Sequence, residues 1–400
     1  MFLELILALF LGITTGILTG LTPGVHINLV SLLILQFTPF LLPYFSLLAL
    51  ATFIMSMSIT HTFLDTIPSI FLGAPDSSTA LGVLPGHRYL LRGNGLMAVK
   101  LTILGSFGAL LIGIAFFPLF VYLTRFYEGV APYTKWVLLI VVLFMLLREK
   151  EKTWAFVVFL LSGMLGCLVF SLPLQDPLFP LLSGLFGIAT LLISLKDKNP
   201  IPEQHILDTT ELDENKTFKA LAAGVSSGFI TAVLPGVSGA IAAVISLQVF
   251  KDLGDHGFMI LQGAINTVGM VLSIAALLVL DKARNGSIIV LRELTGQLGL
   301  SLSIWFLVVS LVAGGFSVWL TLTIGKVFSK WMSRINYALL CWLIITFVTI
   351  LAYWLSGWLG LLVLFISSMV GLIPALKKVA RTQTMGCLLL PVLLFFFGIR

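Results

Sequence analysis

A few polar side chains interrupt long apolar runs in this sequence, and those are the residues whose chemistry needs explaining. His26 and Asn28 follow a Pro-Gly pair, Pro23 and Gly24, and Ser238 follows a second pair, Pro235 and Gly236. His26 can serve as a hydrogen-bonded packing residue, as a substrate contact or as the carrier of a coupling proton. His61 and Asp65 stand one helical turn apart in ITHTFLDTIP (59–68). That spacing suits a proton relay, a cation site or an ordinary satisfied pair. Asn266 and Thr267, in GAINTV (263–268), offer neutral oxygens to the same kind of cation. Asp76, Ser77 and Ser78 in GAPDSST (73–79) suit either capping of a helix or direct contact with a ligand. His26, His61 and Asp65 could in principle hold a metal, but there is no HExxH, no CxxC among Cys167, Cys341 and Cys387, and no phosphate-binding P-loop. The expectation is a protein that is not an enzyme, with no cofactor beyond Na+ or H+ as a coupling ion.

The elements that must hold these residues are membrane helices. Of 400 residues 59% are hydrophobic and 10% charged, with a mean hydropathy of +1.11. Ordinary soluble domains carry about 25% charged residues. The net charge of +6 lies in short loops between apolar runs, which is the positive-inside pattern and not a nucleic-acid surface. The partners expected from composition are the lipid bilayer and no nucleic acid. Spans are expected at 40–57, 96–123, 133–148, 153–171, 178–195, 257–281, 303–325, 335–355, 357–375 and 385–399, about ten in all. The start of the chain lacks the basic residues of a signal peptide, so 1–20 is read as retained structure. The polar stretch 195–219 reads as a solvated linker between an N-terminal repeat (1–194) and a C-terminal repeat (220–400). Loops 148–152, 326–334 and 377–381, together with Arg88, Arg92 and Lys100, belong on the cytoplasmic side.

The two Pro-Gly pairs belong to a repeat. GITTGILTGLTPGV (12–25) and GVSSGFITAVLPGV (224–237) align at an offset of 212, matching Gly12, Gly16, Thr19, Pro23, Gly24 and Val25 to Gly224, Gly228, Thr231, Pro235, Gly236 and Val237. A weaker correspondence sets SITHTF (58–63) against GAINTV (263–268). Proline removes an intrahelical hydrogen bond and glycine permits a turn, so each pair predicts a broken helix or re-entrant hairpin. The span count closes when 1–36 enters and leaves from outside and 218–250 from inside. The fold class is therefore an all-α polytopic membrane protein, an inverted repeat with two re-entrant elements. Broken helices in opposed repeats place free N–H groups and carbonyls at a midplane site, where they can take an anion and a cation.

The same residues resemble a known family. The two Pro-Gly elements, and SIFLGAPDSSTALGVLPGHRYLLRGNGLMAVKL (69–101) with Pro75, Gly86, Arg92 and Gly93, are similar to the large membrane subunit (TctA type) of the tripartite tricarboxylate transporters. The chain departs from that pattern at GVHIN (24–28) and at Asp76, Ser77 and Ser78. The resemblance implies a permease in a prokaryotic cytoplasmic membrane, working with a small membrane subunit and an extracytoplasmic solute-binding protein. The function expected is secondary transport of a small organic anion, a carboxylate, coupled to Na+ or H+; a homodimer is a further expected partner arrangement. The alternative is a translocase for a phosphorylated lipid carrier, which would call for arginine in the cavity.

Overall fold

Proline and glycine punctuate the chain, and helices fill what lies between. The computed structural model describes residues 2–23, 27–73, 80–174, 176–197, 202–206, 212–234, 237–250, 253–283, 285–332 and 337–399. Its first helices are α1 (Phe2–Leu21), α2 (Ile27–Leu41), α3 (Leu47–Leu64), α4 (Val83–Leu91) and α5 (Gly95–Ala115). After them come α6 (Phe117–Thr124), α7 (Tyr127–Val130), α8 (Thr134–Arg148), α9 (Lys152–Val169), α10 (Leu178–Leu182) and α11 (Ala189–Asp197). The second half holds α12 (Glu214–Val233), α13 (Gly239–Val249), α14 (Gly254–Leu280), α15 (Gly286–Thr295), α16 (Leu300–Met332), α17 (Tyr337–Lys377) and α18 (Gly386–Phe396). No strand occurs among the described residues. Eight of the described helical stretches are long and apolar enough to cross a membrane. Large apolar side chains such as Ile140, Leu147, Trp354 and Phe365 are exposed on them, which suits a lipid-facing surface.

Several boundaries differ from the sequence pattern for physical reasons. The span expected at 40–57 begins at Leu47, where Ser46 Oγ accepts from Ala49 N at 3.3 Å and caps the helix. It continues as one stretch to Leu72. The span expected at 178–195 is divided by a π-helical turn, Ser183–Ile188. α1 is a 20-residue helix long enough to cross by itself, because Gly12, Gly16 and Gly20 pack inside it and do not interrupt it. α17 folds back at Gly357, where φ is 61°. A Cβ on Gly360 would lie 2.7 Å from the Ala352 carbonyl oxygen, whereas eight residues of straight helix separate such atoms by about 12 Å. The two spans expected on either side of 356 are thus distinct arms of α17.

Glycine contacts set helix direction. A Cβ on Gly16 would stand 2.6 Å from Thr60 Cβ, and one on Gly20 2.7 Å from Leu64 Cβ; Gly12 meets Ser56 in the same way. The partners rise together, so α1 and α3 run parallel, and α2, which joins them in the chain, packs against α15 and α3. In the second half Gly224 meets Ala264 and Gly228 meets Val268, so α12 and α14 are parallel too. Gly105 against Ile260 and Gly113 against Val268 lay α5 parallel to α14. Trp305 Nε1 donates to Thr52 Oγ1 at 3.0 Å, and Gly314 touches Ile59, which lays α16 parallel to α3. Gly314 against Leu110 and Gly325 against Val99 make α16 antiparallel to α5. Hence α1, α3 and α16 run one way, and α5, α12 and α14 the other.

The linker is not wholly solvated. Gln204, 7% exposed, accepts from Gly95 N at 3.0 Å and donates to Leu90 O at 2.9 Å. It satisfies one end of α4 and one end of α5, groups that a helix terminus leaves unpaired. His205 N donates to Gly93 O at 2.7 Å, and Gly93 turns there with φ 78°. Arg88 on α4 pairs with Asp255 at the start of α14 (2.5 Å). Asp213 starts α12 by accepting from Lys216 N at 3.1 Å, a bond that holds its carboxyl below the usual range.

The glycine register yields a direct test. Gly16→Ile should lower the denaturation midpoint in detergent by an overpacking cost of about 1–3 kcal/mol. Gly315→Ile, where nothing lies within 4 Å, should leave the midpoint unchanged. Equal effects at both positions would contradict the α1–α3 contact.

Candidate functional site

The candidate site lies where α3 crosses α14. Residues 49–64 of α3 are almost all buried, and Ser58, Thr62 and Asp65 share one face at spacings of four and three. Asp65 closes the regular helix, its backbone N–H donating to His61 O at 3.0 Å. Pro68 follows and has no N–H to offer the Leu64 carbonyl. The chain then passes into a π-helical turn, Pro68–Leu72, ended by Gly73 at φ 62°. Such turns often mark functional sites.

Polar groups from both halves converge there. Asn266 Nδ2 donates to Asp65 Oδ2 at 2.7 Å and to Thr62 O at 3.2 Å. Thr62 Oγ1 lies 3.1 Å from Thr267 Oγ1. Because the single Thr62 hydroxyl proton goes to Ile59 O at 2.8 Å, Thr267 is the donor. His61 Nδ1 is 3.1 Å from Thr19 Oγ1 on α1, one turn before the first Pro-Gly break. Thr66 bonds Thr102 of α5 at 3.1 Å, and Ser106 donates to Gly263 O at 3.0 Å. His61 and Asp65 are 4% and 3% exposed, and Thr267 is fully buried. Ser58 Oγ and Thr60 Oγ1 are buried with no hydrogen-bond partner among the described residues. A carboxylate, an amide and several hydroxyls at this spacing are hard oxygen donors of the type that bind an alkali cation or pass a proton. No group of three or more His, Cys, Asp or Glu that could hold a metal occurs among the described residues.

The structure brings His61, Asp65, Asn266 and Thr267 into one region but changes their symmetry. The glycine stripes pair Ser56 with Ala264 and Thr60 with Val268, an offset of 208. The sequence correspondence of SITHTF with GAINTV implied 205, nearly one turn away. In the observed register Gly269 stands where His61 stands, beside Thr231, the counterpart of Thr19. Ser273 takes the place of Asp65. The carboxylate therefore comes from one half alone.

The remaining candidates are placed differently. Both Pro-Gly pairs fall between helices, the first between α1 and α2 and the second between α12 and α13. Pro23 is half-buried at the end of α1. Gly24, His26, Asp76, Ser77, Ser78, Pro235 and Gly236 lie outside the described residues. Asn28 Oδ1 accepts from Ser287 N at 3.1 Å, so it joins α2 to the N-terminus of α15 across the two halves. Ser31 and Ser287 hydroxyls add a bond of 3.0 Å. Ser238 caps α13 by accepting from Ile241 N at 3.3 Å. Thr19, Thr62, Thr66, Thr102 and Ser106 are site neighbours that the sequence reading missed. Their only signal is Ser/Thr spacing in apolar helices, which is weak because many such hydroxyls bond back to their own helix.

This arrangement, helices interrupted and opposed about a buried carboxylate with an apolar exterior, is that of a multi-pass helical membrane protein. The family model of the tripartite tricarboxylate transporter TctA family matches residues 6–386, and the chain belongs to that family. It is also 27% identical over 402 residues to an uncharacterized protein of Methanocaldococcus jannaschii, covering 98% of each chain. No solved structure matches the chain.

The Asp65–Asn266 contact can be measured by a double-mutant cycle. Asp65→Ala and Asn266→Ala should each destabilise the detergent-solubilised protein, and the double variant should fall short of their sum by about 1.5 kcal/mol or more. Additivity within about 0.5 kcal/mol would show that the two side chains do not interact.

Proposed function

We propose that the chain is a secondary active permease that moves a small organic anion, a carboxylate, with Na+ or H+ as the coupling ion. A transport role follows from the family; the ion, the solute class and the site are this proposal. The observation that carries it is the meeting of Asp65 and Thr62 with Asn266 and Thr267 at a crossing of oppositely directed helices. Each of those helices is packed against a partner that ends in a Pro-Gly break. Interrupted helices around a buried ionisable group supply the half-helix ends that bind solute and ion in such carriers.

The opposed directions of α1, α3 and α16 against α5, α12 and α14 support an inverted repeat. Contacts at one end support its orientation. Gln204 holds the linker to the α4–α5 turn, Arg88 holds α4 to α14, and Glu149 accepts from Ala380 N at 3.3 Å. The first two gather the linker, α4 and the start of α14, the third gathers the basic loops 148–152 and 377–381, and the charge of Arg381 acting on His87 of α4 links the two groups. The positive-inside rule assigns such a side to the cytoplasm. The re-entrant reading of the second Pro-Gly element is supported by α13, at 11 residues too short to cross; in the first element α2, at 15 residues, is short in the same way, whereas α1 is long enough to cross. The tripartite family implies two partners, a small membrane subunit and a solute-binding protein. No observation favours a lipid-carrier translocase.

Single cysteines at Leu3 and Asp208 should label from opposite faces of intact cells; labelling from the same face would end the inverted model. In cells that carry the partner subunits, Asp65→Asn should abolish uptake or remove its dependence on the coupling ion while the protein stays folded. Normal uptake with unchanged ion dependence would reduce Asp65 to a packing residue.

A further inference from the structure

The basic loop 377–381 ends in an arginine that behaves unlike its neighbours. Lys377 and Lys378 are exposed, and Lys377 Nζ lies 4.2 Å from the centre of the Trp154 ring. Arg381 instead turns inward, where Nη1 donates to Thr190 Oγ1 of α11. Thr190 is 4% exposed, and its own hydroxyl is directed at Phe186 O in the π-helical turn Ser183–Ile188. The nearby acid, Glu149, accepts from Ala380 N and not from the guanidinium. Among the described residues no carboxylate forms an ion pair with Arg381. The buried ring of His87 stands close by; burial, with a smaller push from the charge of Arg381, outweighs a hydrogen bond with the Ile70 backbone and lowers the pKa of that imidazole to about 4, so it is neutral at physiological pH. It adds no second positive charge and no anion.

A guanidinium has five N–H donors in a planar fork. Thr190 is a single neutral acceptor. A half-buried cation without a counter-charge is costly unless an anion completes it, and the fork matches two oxygens of one oxyanion. Arg381 opens the helical turn Arg381–Met385, where Gln383 Nε2 donates to Met145 O at 3.2 Å, one turn from the basic end of α8. This sets the cation beside the basic loops 148–152 and 377–381, on the side that the proposed orientation assigns to the cytoplasm.

We infer that Arg381 and Thr190 form an oxyanion-binding site at the inner end of the bundle, with the guanidinium fork taking two oxygens of a carboxylate or phosphate group. In a permease this site would hold an anionic solute at the inner mouth, and to that extent the role rests on the proposed function; the binding itself does not. The oxyanion can come from a soluble carboxylate or phosphate, or from an acidic lipid headgroup.

The test measures thermal stabilisation of the full chain in phosphatidylcholine nanodiscs, titrated with citrate and separately with inorganic phosphate, and repeats it in discs containing phosphatidylglycerol. Arg381→Gln should weaken the response about 10- to 100-fold, as expected for losing one or two charge-assisted hydrogen bonds, and Arg381→Lys should restore part of it. A response to citrate or phosphate that depends on Arg381 identifies a soluble oxyanion. A response to phosphatidylglycerol alone, again lost in Arg381→Gln, identifies a headgroup. Equal responses of wild type and Arg381→Gln overturn the site, as does the absence of any response to all three probes. Asp65→Asn measured in parallel separates the two claims: unchanged Arg381-dependent binding with lost uptake upholds both. Lost Arg381 dependence with a normal Asp65 effect on uptake removes only this site.

Discussion

Helices in lipid approach closely only where their side chains allow it, since burial of apolar surface gives no drive for one helix against another. The glycines of α1 and α12 allow it. Gly12, Gly16 and Gly20 seat α1 on α3, and Gly224 and Gly228 seat α12 on α14. Once those contacts are fixed, α1 and α12 must deliver their C-terminal ends beside α3 and α14. The same two helices carry Asp65 and Asn266. Close glycine packing and the polar crossing are therefore one construction, and a side chain added at the first would displace the second.

The construction is symmetric in backbone and asymmetric in charge. In the observed register His61 and Asp65 correspond to Gly269 and Ser273. A symmetric pair of carboxylates at this crossing would repel each other, whereas one carboxylate facing an amide and hydroxyls can take a single cation or proton without a second compensating charge. Asn266 serves the first half through the Asp65 carboxylate, and Asn28 serves the second through Ser287. Each half thus lends an amide to the other.

The sequence disclosed the class of fold through composition, and the breaks through Pro23-Gly24 and Pro235-Gly236, because those signals are local. The turn at Gly357 was legible for the same reason: the apolar run around it was too long for one crossing. Register was not legible. SITHTF and GAINTV resemble each other in residue type, but the glycines that decide which turn faces which lie on α1 and α12. The docking of Gln204 was equally hidden, since a polar linker residue gains its partners, Leu90 O and Gly95 N, only when α4 and α5 have folded. Asp65 and Asn266 could be named because an acid or amide in an apolar helix is rare, and Thr267 only as the neighbour of Asn266. Thr62 and Thr102 could not, because threonine is common there.

The crossing can be interrogated directly. Thr62 and Thr267 hydroxyls lie 3.1 Å apart, so cysteines at these two positions, in a chain with Cys167, Cys341 and Cys387 replaced, should oxidise to a disulfide in native membranes. The account predicts that this bond forms and arrests uptake, and that reduction restores it. Failure of the pair to cross-link, or uptake that continues with α3 tied to α14, would contradict a transport site at this crossing.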